Sequence, residues 1–257
     1  LTFFLISPSI WDNDYRESKT IKTWFEALTN TNLNLKFADL IIQPSEVNKR
    51  IKDWSSIGSA SLVCSHLGLI GLDTELAVLV IGANPNQSAL NFLQTHNYLW
   101  SGLESISDDY DFFFFDCLAN FNISTQSGII TSDFYIIPAI PDYLSLLSID
   151  QLRIQVKRLI EGYNHYTEFL GEKRLINPKG LGVVFTMLSL YSKSLPRKLK
   201  LQKSARATSH ILTASYGKIE QCMALLLKLV YQYFYKKAIR KTINLLELNW
   251  KISQMNS

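Results

Sequence analysis

The residues that could do chemistry gather in the middle of the chain. Phe112–Phe115 is a run of four phenylalanines, followed at once by Asp116 and Cys117. An apolar run without alternation reads as a strand buried on both faces, as in a parallel sheet covered by helices. In open parallel sheets, ligands bind beyond the carboxyl ends of the strands. An aspartate placed there can hold a Mg²⁺ ion through water, as nucleotide-hydrolysing folds do. The structural alternative is that Asp116 caps the turn or helix next to it. The usual companion of such an acid is a glycine-rich loop ending in Lys and Ser/Thr, whose backbone N–H groups cradle phosphates. The sequence has no such loop: Gly68–Gly71 and Gly180–Gly182 lack the lysine and the spacing, and read as turn glycines.

The other reactive side chains form no constellation. His66, His96, His165 and His210 share no metal-ligand spacing and read as surface or packing residues. No serine stands in a G-x-S-x-G context, so no nucleophile is nominated. Cys64, Cys117 and Cys222 are odd in number and lack a C-x-x-C, which argues against a disulfide framework or a structural zinc site. That usage fits a reducing cytosol, so the expected location is cytoplasmic. Asn122–Ser124 matches a glycosylation sequon, which a cytosolic protein does not use.

The elements that must position Asp116 can be read from periodicity. Ile21, Trp24, Phe25 and Leu28 at i, i+3, i+4, i+7 predict a helix over 18–29, with Ser18 or Thr20 as its cap. Short strands are expected at Leu40–Gln43, stopped by Pro44, and at Ser61–Cys64. Residues 72–81 read as a buried helix or strand, with Asp73-Thr74-Glu75 favouring a helix start. Leu90, Leu93, Leu99, Leu103 and Ile106 share one face and predict a helix over 87–106. Further apolar runs, Phe134–Ile137 ending in Pro138 and Gly182–Thr186, flank a helical pattern through Ile149, Leu152, Val156, Leu159, Ile160 and Tyr163. This β–α–β order predicts an α/β fold with a doubly wound, mostly parallel sheet.

Composition bounds the alternatives. With 12% aromatic and 19% charged residues the chain is not disordered, and 257 residues fit one large α/β domain or two small ones. No run of 18 uncharged apolar residues exists, so no transmembrane helix is expected. The opening LTFFLIS lacks a basic n-region and soon meets Pro8, unlike a signal peptide. The net charge of +4 hides an asymmetry: residues 197–257 hold 12 basic residues against Glu220 and Glu247, leaving 14 basic and 20 acidic residues in 1–196. A basic tail points to nucleic acid or an anionic surface.

Tyr110–Leu152, with its apolar run, Asp116, Asp133, Pro138, Pro141 and Asp142, resembles the Walker B region and adjoining segment of ParA-type partition ATPases. These are deviant-Walker P-loop ATPases, grouped with MinD-like proteins. Ser65–Ala77 is similar to the family's P-S-H-L-x-L segment and Leu181–Met187 to its next strand, so the resemblance covers roughly 30–195. It implies a P-loop NTPase fold with ATP and Mg²⁺ as cofactors. Asp116 falls on the Walker B acid and metal site, and Cys117, Pro138, Pro141 and Asp142 on nucleotide-site positions. It further implies a homodimer formed around the nucleotide, non-specific DNA binding, and a centromere-binding partner protein; a membrane partner is not expected.

The sequence departs from the family at three places. Leu118-Ala119 replaces the Pro-Pro that shapes the turn beside the phosphates. The K-G-G-x-G-K-T loop and the D-x-D-P-Q strand with the catalytic Asp are absent, so no catalytic residue is assigned. The first residues resemble the family's segment just beyond that strand, and the expectation is an N-terminally truncated domain over 1–196 that does not hydrolyse ATP by itself. Last, 197–257 keeps only a faint echo of the family at Ser215–Lys218. It reads either as an out-of-frame tail or as a genuine basic helical one. A nucleotide-free adaptor binding DNA or membrane through that tail is the rival reading.

Overall fold

The computed structural model describes residues 2–30, 35–54, 58–140, 142–188 and 212–215. Among the described residues the α-helices are α1 (Thr2–Leu5), α2 (Pro8–Ile10), α3 (Ile21–Thr29), α4 (Ser45–Trp54), α5 (Leu69–Leu79), α6 (Pro85–Glu104), α7 (Ile123–Thr131) and α8 (Tyr143–Phe169). The strands are β1 (Phe134–Ala139), β2 (Lys179–Leu188) and β3 (Leu212–Ser215). Two units divide the chain: Leu1–Tyr135 with Asp150–Leu181, and Ile136–Ile149 with Gly182–Ser257.

In the first unit, local chemistry sets the helix ends. Thr20 has extended backbone and its hydroxyl accepts from the Thr23 N–H, so it, and not Ser18, caps α3. Asn84 does the same for α6, accepting from Gln87 N–H with Pro85 at the first helical position. Trp24 and Phe25 then face inward with Phe37, Leu40, Leu72, Leu76, Leu99 and Leu103 to form one core. Helix α6 approaches α3 closely because position 102 is glycine: a Cβ there would lie 2.6 Å from the Trp24 ring and 2.7 Å from Phe37. Of the face expected for this helix, Leu93, Leu99, Leu103 and Ile106 are buried, whereas Leu90 remains exposed.

A second core in the same unit joins α6, α7 and α8 through Leu93, Ile130, Val156, Leu159, Tyr163 and Ile176. Helix α8 ends in a Schellman motif, in which Gly171 (φ 71°) supplies the left-handed residue. The Glu172 N–H reaches the Thr167 carbonyl at 2.8 Å, and the Gly171 N–H the Glu168 carbonyl at 3.1 Å. The chain reverses there and is held on α8 by Asn164, whose side chain exchanges both hydrogen bonds with the Ile176 backbone at 2.9 Å. The reversal seats Arg174. Its guanidinium lies 4.6 Å from the Trp100 ring and donates to Asn97 Oδ1, Tyr163 Oη and the Ile130 carbonyl.

The sheet has the order β1-β2-β3, with most of its residues in the second unit. Strands β2 and β3 are parallel, with Val184 opposite Leu212 and Phe185 opposite Thr213, and the register becomes irregular before Leu188 and Ser215. The chain is therefore α/β, and the strand–helix–strand order β1-α8-β2 falls where the apolar runs predict it. The remainder of 197–257, including the family echo at 216–218, lies outside the described residues.

Three expectations are corrected. The short strands at Leu40–Gln43 and Ser61–Cys64 reduce to single bridges, Ile42 with Leu62 and Thr20 with Cys64. A turn of 3-10 helix at Phe37–Leu40 and the proline at 44 leave too few residues for a ladder. Helix α5 begins at Leu69, so Asp73 lies inside it and is not its start signal. The largest correction concerns the phenylalanine run. From Phe112 to Leu118 the chain is neither strand nor helix, and Phe112, Phe113 and Phe114 are 46%, 37% and 45% exposed. The described sheet is built from β1, β2 and β3, and outside a ladder apolar side chains alone do not make a buried strand. The rings rest on one another instead, Phe112 on Phe114 at 6.2 Å and Tyr110 on Phe113 at 5.6 Å.

Candidate nucleotide site

Asp116 comes directly after this exposed run and is itself exposed. The segment after it is seated by Gly128 of α7, where a Cβ would lie 3.2 Å from Cys117 Sγ and 3.8 Å from Phe115 Cβ. Cys117 as a residue is exposed, yet its sulfur is crowded by α7. Surrounding protein, and then the neighbouring Asp116 carboxylate, push the thiol up to about 11. At neutral pH it is a thiol and not a nucleophilic thiolate. Buried Cys64 is likewise raised to about 11 by burial. Cys222 lies outside the described residues.

The start of α7 is held by a residue that residue spacing does not single out. Asp73, 3% exposed on α5, accepts from the Ser124 N–H and the Ser124 hydroxyl, both at 2.9 Å. A carboxylate at the first turn satisfies an orphan N–H and complements the helix dipole. The cap of α7 thus comes from α5, across 51 residues of sequence. The signal lay in plain view as Asp73-Thr74-Glu75, but periodicity assigns those residues to their own helix. A second link joins α7 to α6. His96, fully buried, has Nδ1 2.9 Å from the Phe92 carbonyl and Nε2 3.0 Å from Gln126 Oε1. Burial drives its proton off below the ordinary histidine range, outweighing the two hydrogen bonds that favour the charged form. Of the two roles expected for it, surface or packing, it takes the packing one. His210 lies outside the described residues.

The remaining nominated residues belong to the second unit. Pro138 is exposed on β1, and Pro141 lies outside the described residues. Asp142 acts as the N-terminal cap of α8: it accepts from the Ser145 N–H at 2.8 Å and the Ser145 hydroxyl at 2.9 Å. Those bonds, the backbone one first, hold its carboxyl below the usual carboxylate range. Asp116 and Cys117 are thus neighbours in the first unit, while Pro138 and Asp142 are each placed by elements of the second.

Among the described residues no three His, Cys, Asp or Glu side chains converge as a metal cage. Mg²⁺ is ordinarily held by one or two carboxylates, water and substrate phosphates, so a single exposed carboxylate at Asp116 fits that ion's mode of binding. Also among the described residues, no helix is long and apolar enough to cross a membrane.

The family model AAA_31, described as an AAA domain, matches residues 11–169, well over half of the chain. The chain belongs to the ParA/MinD-like P-loop ATPases. No curated protein and no solved structure matches it. Members of this family bind nucleotide and Mg²⁺ in general. The matched span takes in Asp73, Asp116, Cys117, Pro138 and Asp142, and ends with α8, before the Leu181–Met187 segment.

Proposed function

We propose that this chain forms the Asp116-bearing part of an ATPase of plasmid or chromosome partition. ATP and Mg²⁺ are its cofactors. Asp116 orients the ion through water, and Cys117, Pro138, Pro141 and Asp142 shape the surroundings of the nucleotide in a doubly wound sheet of the P-loop type. The protein dimerises around the nucleotide, binds DNA without sequence preference, and responds to a partner protein seated at a centromere-like site. The observation that carries this reading is the order of motifs inside the matched span: Asp116, then helix α7, then β1 with Pro138, then α8 capped by Asp142. The apolar residues Leu67, Ile70, Val78 and Ile81, exposed along and beside α5, support a surface that a second copy covers.

These 257 residues hold no phosphate-binding lysine loop, so hydrolysis by them alone is not expected. The test is to join that loop and its strand from the family to the N-terminus and assay Mg²⁺-dependent ATP hydrolysis. Asp116→Ala should abolish it; activity kept within a few-fold removes Asp116 from the metal role. The adaptor reading is favoured by one observation, the 12 basic residues of 197–257. Under it, DNA binding is independent of nucleotide and falls steeply with salt, and removing the tail flattens that dependence.

A further inference from the structure

Glycine stands inside the helices of the first unit at several points, and two have a packing reason. Gly102 admits Trp24 and Phe37, and Gly128 admits Cys117. Gly162 is different: a Cβ there would meet no heavy atom within 4 Å. Gly71 shares this freedom at an exposed position of α5. Gly162 sits inside the 27-residue α8 and is not among the glycines of positive φ. In a helix interior glycine is the least favourable residue after proline. The fold gains no contact from it, so its consequence lies in the space it leaves open.

That space is a groove of about 360 Å³ between α6, α7 and α8. Phe92, Phe121 and Tyr166 give it aromatic walls, with the Phe92 and Tyr166 rings 5.1 Å apart. Gln126, held from behind by His96, and Gln155 add amides at its border. Arg158 is the one charged residue in the lining, and among the described residues no carboxylate pairs with it. By contrast, Arg153 and Lys157 on the same helix face Asp150 and Glu161.

We propose that this groove receives an aromatic side chain of a partner protein, carried next to an acidic residue. Aromatic walls and a glycine floor take a flat ring, and the unpaired guanidinium beside them takes a carboxylate. The groove is widely open to solvent. A small ligand needs roughly 70–90% of its surface enclosed, whereas an interface anchor is covered by the rest of its own protein. The openness therefore selects an anchor residue over a free metabolite. This inference is independent of the nucleotide reading, since it uses neither Asp116 nor the phosphates.

The test is a titration of the ¹⁵N-labelled 257-residue chain with two blocked peptides, acetyl-Asp-Trp-Glu-amide and acetyl-Lys-Trp-Lys-amide, and with indole-3-acetate. The acidic peptide should shift the Gly162 and Arg158 amide signals and saturate near about 1 mM, a weak but measurable affinity. Gly162→Leu should weaken it about tenfold or more by filling the anchor pocket, while raising the thermal unfolding midpoint, because nothing obstructs the new side chain. Arg158→Gln should weaken it roughly fivefold. Four results overturn the proposal. One is the absence of any shift at Gly162 by the acidic peptide up to about 10 mM. Another is equal binding of the basic peptide. A third is indole-3-acetate binding as tightly as the acidic peptide, which makes the site one for small molecules. The last is a lowered midpoint for Gly162→Leu, which gives the glycine a packing role.

Discussion

Two stretches of the first unit treat their polar and aromatic groups in opposite ways. Where α6, α7 and α8 meet, Tyr163 and His96 are fully buried and their side-chain polar atoms are partnered, although the buried Ser127 and Thr131 hydroxyls of α7 find no partner among the described residues. The guanidinium of Arg174 pairs with no acid among the described residues but is satisfied by three oxygens and a tryptophan face. Beside Asp116, the rings of Phe112, Phe113 and Phe114 lie exposed outside any ladder, and the acid faces solvent. A buried unpaired polar group costs more than a made hydrogen bond gains, so the first region is locked into one arrangement. The second leaves its apolar rings and the Asp116 residue exposed at the surface. The buried part is thus the platform, and the Asp116 segment lies on its surface, beside Gly128 and the Asp73-capped start of α7.

The largest effect should come from the centre of the platform. Tyr163→Ala removes a ring with no exposed surface and strands the groups around Arg174, and should cost about 3–5 kcal/mol in denaturant unfolding. A loss below about 1 kcal/mol would place the two regions on an equal footing. Asp73→Ala should cost about 1–2 kcal/mol, the worth of a helix cap, with Asp73→Asn recovering part of it. The same substitution should speed hydrogen exchange at the Ser124 amide, a change that simple loss of packing elsewhere would not produce.

His96 gives the platform a pH dependence of definite sign. Its proton affinity is lower folded than unfolded, so the unfolded chain binds the extra proton. The stabilisation is fully present above the ordinary histidine value of 6.5 and is lost as pH falls below it toward the folded pKa. The slope from this group is at most about 1.4 kcal/mol per pH unit. Unfolding free energies measured from pH 7.5 to 5 should fall, and His96→Gln should flatten the fall. A rise on acidification would show that the two hydrogen bonds outweigh burial.

The smallest effects should come from the surface segment. At pH 8 the Cys117 thiol should react with iodoacetamide about a hundredfold more slowly than a free cysteine, as a pKa of about 11 requires. Phe113→Ser should change stability by less than about 0.5 kcal/mol, as exposed positions do. A cost near about 3 kcal/mol would restore the buried strand that the phenylalanine run predicts from sequence.

Periodic helices are legible in the residues themselves. For α3, α6 and α8, the spacing of Trp24 and Phe25, of Leu99 and Leu103, and of Val156, Leu159 and Tyr163 names the buried face. The family is legible as well, because a family motif is a pattern of residue types along the chain. Those facts are local, and residue order is enough to establish them. Four others needed the packed chain: that Asp73 caps α7 and not its own helix, that Arg174 rests on Trp100, and that Gly162 faces a groove while Gly102 admits two rings. The fourth is that Phe112–Phe115 lies outside any strand, with three of its rings at the surface. The physical reason is common to all four. A strand, a cap and a pocket are each completed by groups distant in sequence, and residue spacing carries no record of which distant group arrives.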